Sequence, residues 1–140
     1  MKVEIKKING IARLPIFATK GDAGFDLFAV ENKIIKAGKR ELLGTGVAIE
    51  IPDGYVGLVW DKSGISNNYG IKTLGGVIDA GYRGEVKIGL INLSDSDFLI
   101  EAGNKIAQML IQKVEHPELV EVDELSNTER GENGFGSTGK

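Results

Sequence analysis

The run Arg130-Gly131-Glu132-Asn133-Gly134-Phe135-Gly136-Ser137-Thr138-Gly139 spaces one cation, one aromatic ring and two hydroxyls among glycines. Glycines let successive backbone N–H groups turn toward one point, and such concavities bind anions. Arg130 can fork onto phosphate oxygens, and Phe135 can lie over a flat ring. Together they read as a flap that closes on a nucleotide. The bland counterpart is a solvated tail.

Four further segments carry polar groups where a ligand could use them. In Ala23-Gly24-Phe25-Asp26-Leu27, Asp26 lies between two large apolar residues. In a strand its side chain faces away from theirs, toward solvent or a cleft. In Asp61-Lys62-Ser63-Gly64, Lys62 offers charge, Ser63 a hydroxyl and Gly64 close backbone approach. A helix starting there presents N–H groups that favour phosphate. Between Gly75 and Glu85 an apolar stretch runs into Asp79, a tight turn and Tyr82. This reads as a hairpin whose tip holds a carboxylate fit for a general base and a ring fit to stack on a sugar or base. In Gly103-Asn104-Lys105-Ile106-Ala107-Gln108-Met109 the amide of Gln108 falls inside an apolar run and needs partners. Singly, these are a turn former, a capped loop, a packed hairpin and a satisfied amide. Their co-occurrence is the stronger signal.

The elements that must position these groups are strands. Helical periodicity is almost absent, and short β-branched runs recur at Val3–Ile8, Lys33–Ile35, Val47–Ile51, Tyr55–Trp60, Glu85–Asn92, Phe98–Ile100, Ile106–Val114 and Leu119–Val122. Turn signals separate them at roughly 8–12-residue spacing, which indicates an all-β sandwich, barrel or jelly roll. Pro52-Asp53-Gly54 predicts a hairpin between two of these runs. One short helix at most is expected, from Ser63 through Asn68. We expect a core domain over residues 1–123 and a mobile glycine-rich arm over 124–140.

The bulk numbers narrow the chemistry. A net charge of −3 argues against a nucleic-acid-coating protein. With no cysteine and a single histidine, His116, thiolate or multi-histidine metal sites are excluded. No apolar run reaches the roughly 18–20 residues a membrane helix needs, and the N-terminus lacks a signal-peptide core. A cytoplasmic location is expected, with no membrane and no nucleic-acid partner.

Taken together, the five segments resemble the trimeric dUTPase family, over nearly the whole chain. The matching motifs are Ala23-Gly24-Phe25-Asp26-Leu27, Ser63-Gly64, Gly76-Val77-Ile78-Asp79 with Tyr82-Arg83-Gly84, Ile106-Ala107-Gln108, and Arg130 with Gly134-Phe135-Gly136-Ser137-Thr138-Gly139. The resemblance implies a jelly-roll subunit and a homotrimer whose active sites are shared between chains. It implies Mg²⁺ and dUTP as substrate, giving dUMP for thymidylate synthesis and pyrophosphate, and keeping uracil out of DNA. It makes Asp79, Ser63 and Gln108 catalytic, with Asp79 deprotonating a water directed at the α-phosphorus. Asp26 would hold Mg²⁺ through water. Lys62, Ser63 and Gly64 would cradle phosphates, Gln108 would reach the α-phosphate, and Arg130 would clamp the terminal phosphate. Backbone at Val77 and Ile78 would pair with the uracil edge, and Tyr82 would lie under the deoxyribose. Phe135, with Gly136 and Ser137, would cover the base, and Lys87 would reach the base or its water.

Three departures from the family pattern stand out. Lys62 replaces the usual Arg, Gly81 replaces a common second Asp, and Asn104-Lys105 replaces Asp-Arg, so an ion pair is expected to be lost there. A dCTP deaminase on the same fold would need a glutamate where Gly89 stands.

Overall fold

The structure, a computed structural model, describes residues 1–134. Ten strands and one helix follow in order: β1 (Glu4–Lys7), β2 (Phe25–Phe28), β3 (Lys33–Ile35), β4 (Arg40–Glu50), β5 (Tyr55–Trp60), α1 (Ser63–Tyr69), β6 (Ile71–Leu74), β7 (Val77–Ile78), β8 (Glu85–Asn92), β9 (Phe98–Ile100) and β10 (Lys105–Lys113). The strands run as expected from alternation where one face is wet. In β8, Val86, Ile88, Leu90 and Asn92 are buried and Lys87 is exposed. Strand β2 is buried on both faces, Asp26 included.

Two antiparallel sheets, ordered β1-β4-β8-β6 and β2-β10-β5-β7, contribute to one core, and β3 pairs with β9 beside them. Leu43, Ile49 and Ile88 come from the first sheet, Leu27, Ala107 and Met109 from the second. Among the described residues no two strands consecutive in the chain pair with each other. This is the signature of a jelly-roll-like sandwich, in which the chain crosses between sheets at nearly every turn.

Two expected hairpins are therefore corrected. At Pro52-Asp53-Gly54 the reversal forms, with Tyr55 N–H donating to the Pro52 carbonyl at 3.1 Å. Its flanks nevertheless part: β4 pairs with β1 and β8, β5 with β10 and β7. Around Asp79, β7 pairs with β5 while β8 pairs with β4 and β6. Turn chemistry closes a reversal locally, but each flank takes the partners that let its apolar face join the shared core. Residues Leu119–Val122 form no strand; Leu119, Val120 and Val122 are exposed. No strand partner in the chain reaches them among the described residues.

Helix α1 is the expected short helix, one residue longer than read. Lys62 is its N-cap residue, without a side-chain cap, and Gly70 closes it in the left-handed conformation. The Ser63 hydroxyl is thus not used as a cap. Among the described residues no helix is long and apolar enough to cross a membrane.

The entry into β7 depends on Gly76. Its φ is 120°, and a Cβ there would stand 2.8 Å from the Val59 carbonyl oxygen on β5. The close approach allows Val59 N–H to donate to the Gly76 carbonyl at 2.8 Å. Gly75, at φ 70°, has open space around it. Gly76→Ala is expected to lose about 2–4 kcal/mol, and Gly75→Ala only about 1–2 kcal/mol of left-handed strain. Denaturant unfolding at one protein concentration checks the ranking.

Candidate active site

Strand β10 carries Gln108 between two neighbours in register: Asp26 on β2 and Trp60 on β5. Paired residues share a face of a sheet, so Asp26, Gln108 and Trp60 lie on the side away from Phe25, Met109 and Val59. The backbone of Asp26 is fixed on its other edge by an isolated bridge, Asp26 N–H donating to the Ile16 carbonyl at 2.8 Å. Phe17 packs edge-on against Phe25, ring centroids 5.6 Å apart, and holds that flanking segment in place.

Alternation with Phe25 and Leu27 left Asp26 facing solvent or a cleft, and the side it takes is covered. It is 2% exposed and lies under two lysines. Lys62 Nζ donates to Oδ1 at 2.6 Å, and Lys105 Nζ stands 2.6 Å from Oδ2. That second ion pair is poorly directed and leaves Oδ2 without a well-formed hydrogen bond. Burial pushes the Asp26 carboxyl up, but the hydrogen bonds and charges of Lys105 and Lys62 outweigh it and hold the group below its ordinary value. Lys105 thus makes an ion pair of its own with Asp26.

The turn after β5 is fixed by Asp61. Its Oδ1 accepts from both the N–H and the hydroxyl of Thr73, each at 2.7 Å, and Oδ2 pairs with Lys72 at 2.9 Å. Its carbonyl accepts from Gln108 Nε2 at 2.9 Å. One residue thus ties β6, β10 and the start of α1 together, directly beside Lys62. Gln108 Oε1 is left on the other side of the amide, next to Gly24, where a Cβ would approach it to 3.0 Å. Ser63 and Gly64 are exposed at the first turn of α1, and among the described residues the Ser63 hydroxyl makes no hydrogen bond. Two ammonium groups thus meet on one buried carboxylate, with the Gln108 amide in register beside it and the first turn of α1 following directly on Lys62.

Asp79 and Tyr82 lie elsewhere. Register places Asp79 beyond Ile78, which pairs with Gly57, which pairs with Ile111. Three strand spacings across and about four residues along separate it from Asp26, a distance of about 20 Å. Asp79 is exposed, and among the described residues its carboxylate has no partner. Tyr82 donates its hydroxyl to the Glu85 carbonyl at 2.9 Å. Val77 is exposed and Ile78 half-buried. Lys87 turns to Glu85, at 3.8 Å, and lines a shallow depression with Arg40, Leu42 and Leu74. Arg130 is exposed and bonds within its own turn, Nε to the Asn133 carbonyl at 2.9 Å. Phe135, Gly136 and Ser137 lie outside the described residues. Gly89 faces the Leu74 backbone, its would-be Cβ 3.4 Å from that carbonyl oxygen.

Residues 10–139 match the dUTPase family. The chain belongs to that family. It is 50% identical over its whole length to a deoxyuridine 5'-triphosphate nucleotidohydrolase of Nautilia profundicola, itself covered completely. It is likewise 50% identical to one of Clostridium kluyveri, with 99% of both chains covered. Among solved structures, the dUTPase of Staphylococcus bacteriophage 80alpha with dUPNHPP superposes with a TM-score of 0.93 at 34% identity, covering 99% of each chain. A D95N mutant of the dUTPase of phage phi11 of S. aureus, described for its coordination of a structural Mg(II) ion, superposes with a TM-score of 0.82 at 30% identity, covering 89% of this chain and 98% of that one. The dUTPase jelly roll expected from the motifs is the fold observed.

Sequence reasoning passed over Asp61 and the partner role of Lys105. Each acts on a residue far along the chain, so local spacing carries no trace of it. Asp61 has a measurable consequence. Burial pushes its carboxyl up, but the Thr73 hydrogen bonds and Lys72 more than offset this and hold it below its ordinary value. A depressed folded-state value contributes stability above the unfolded value of about 4, lost as pH falls through the folded one. Asp61→Asn is thus expected to be less stable than wild type at pH 7, with the gap closing below about pH 4. Urea midpoints at pH 7 and pH 3 check this.

Proposed function

We propose that this chain hydrolyses dUTP to dUMP and pyrophosphate, in the cytoplasm, as a homotrimer with active sites shared between subunits. The observation that carries the reading is the register of β2, β10 and β5, which gathers Asp26, Gln108 and the Lys62-Ser63-Gly64 turn at one spot. Family membership names the nucleotide, and the cluster has the chemistry of a triphosphate cradle.

Cleavage of a phosphoanhydride by water needs an aligned nucleophile and a neutralised leaving group. Lys62 and the exposed Ser63 and Gly64 bind phosphate oxygens, and Gln108 orients the α-phosphate through the second hydrogen of Nε2, the first being held by the Asp61 carbonyl. Asp79 takes a proton from the attacking water as its oxygen bonds to the α-phosphorus. The bond from α-phosphorus to the bridging oxygen breaks, and pyrophosphate leaves with the electron pair. Backbone at Val77 and Ile78 reads the uracil edge, Tyr82 packs under the deoxyribose and excludes a 2′-hydroxyl, and Lys87 reaches the base or its water. Arg130 clamps the terminal phosphate, and Phe135, Gly136 and Ser137 cover the base as residues 124–140 close over the core of residues 1–123.

The separation of about 20 Å between Asp79 and Asp26 supports a shared site. A base must come within about 3 Å of the proton it removes. One chain cannot place both groups on the same phosphate, whereas Asp79 of one subunit can meet the Lys62 cluster of another.

Mg²⁺ suits the cluster as an ion that keeps most of its water. Asp26 is its buried carboxylate, and Oδ2 lacks a well-directed hydrogen bond. Asp26 would hold the ion through water, and the ion, when bound, adds positive charge to the triphosphate.

Asp79→Asn is expected to lower kcat by about 10²–10⁴-fold while binding of a non-hydrolysable dUTP analogue changes little; equal losses would remove Asp79 as base. A product assay across dUTP, dCTP, dTTP and UTP is expected to show dUMP and pyrophosphate from dUTP alone. Truncation after Asn127 is expected to lower turnover and leave the oligomer intact, as read by light scattering.

A further inference from the structure

The turn that carries Asp79 is gripped from outside itself. Arg83 folds back so that Nη1 donates to the carbonyls of Ala80 at 2.6 Å and Tyr82 at 3.0 Å, while Nη2 donates to Glu50 Oε1 at 3.0 Å. The two carbonyls flank Gly81, and the turn itself is closed by Tyr82 N–H donating to the Asp79 carbonyl at 3.0 Å. Glu50 ends β4 and is held in register opposite Glu4 of β1. The anchor therefore belongs to the sheet that β7 does not join. On its other side the turn is tied by Tyr82, whose ring lies against Gly84, where a Cβ would collide with it.

We propose that Arg83 is a positioning residue for Asp79, setting the turn from which the carboxylate reaches the attacking water. The inference rests on the reading of Asp79 as base. With no side-chain partner among the described residues, Asp79 takes its placement from its backbone alone. Gly81 loosens that backbone, since glycine adds conformations the turn must lose. A guanidinium holding two turn carbonyls and an outside carboxylate restores the constraint, and only its planar fork spans three acceptors at once. Both members of the Arg83–Glu50 pair are about half exposed, 53% each. Such a pair does little for global stability, so its loss separates rate from stability. Displacing a base by about 1 Å costs up to about 10²-fold in rate.

The test uses the full chain with Arg83→Gln, Arg83→Lys, Glu50→Gln and Glu50→Ala, each confirmed at the wild-type oligomeric mass. Amide hydrogen exchange at Tyr82 reports the turn, and kcat and KM for dUTP report the chemistry. Arg83→Gln is expected to speed Tyr82 exchange several-fold and lower kcat about 10–100-fold, with KM within about 3-fold and the melting temperature nearly unchanged. Arg83→Lys is expected to rescue little, Glu50→Gln to stay near wild type because an acceptor oxygen remains, and Glu50→Ala to follow Arg83→Gln more weakly. Unchanged exchange, faster exchange with unchanged kcat, or a rise confined to KM would each overturn the proposal. If Arg83→Gln fails to fold, the same readouts on Arg83→Lys and Glu50→Ala decide it. Full turnover by Asp79→Asn would instead strike the base assignment, leaving the exchange result to stand alone.

Discussion

The structure is organised around a buried negative charge. Asp26 is almost wholly removed from water in a strand whose neighbours are apolar, and an unpaired carboxylate there would be costly. Lys62 and Lys105 neutralise it from two different elements. That requirement fixes where the turn after β5 and the start of β10 must sit, and with them Gln108 and the first turn of α1. Removing both lysines would leave the carboxylate uncompensated, which is more damaging than replacing the whole cluster by apolar groups. The same electrostatics suit a triphosphate: two lysines already converge there, and a polyanion competes with Asp26 for them.

Around that charge the fold divides its labour. The β2-β10-β5 register holds the groups proposed to bind phosphate on one ladder, while Asp79, the proposed base, sits on an exposed crossover between sheets. Groups that bind a ligand's charge tolerate small displacement, because Coulomb attraction varies gently with distance. A general base does not. The turn bearing Asp79 is accordingly tied by Arg83, Tyr82 and its own backbone, and its outside anchor lies on β4.

The sequence disclosed kinds of element better than their partners. The all-β class, the helix at Ser63 and most strands were legible because alternation and β-branching are local properties. Pairing was not: the turn at Pro52-Asp53-Gly54 reverses the chain as its chemistry demands, yet which sheet each flank joins is decided by the whole core. The grouping of Asp26, Lys62 and Gln108 was reached through resemblance to a family, whereas alternation alone left Asp26 facing either solvent or a cleft. Alternation with Phe25 and Leu27 places its side chain on the outer face, but the lysines that cover that face come from remote segments. Asp61 escaped notice for the same reason, its partner Thr73 lying across the start of α1.

The absence of any pairing between consecutive strands also governs how the chain comes to fold. Strand β2 can close only on β10, roughly eighty positions later, and β1 only on β4. During synthesis the early strands emerge from the ribosome with their apolar faces uncovered; the first sheet cannot be completed until β8 arrives, nor the second until β10. Loop closure must be paid for before distant pairing rewards it. Folding is therefore expected to be slow and largely post-translational. In that interval Leu27 and Phe28, among the most deeply buried residues of the finished molecule, are those most exposed to misassociation.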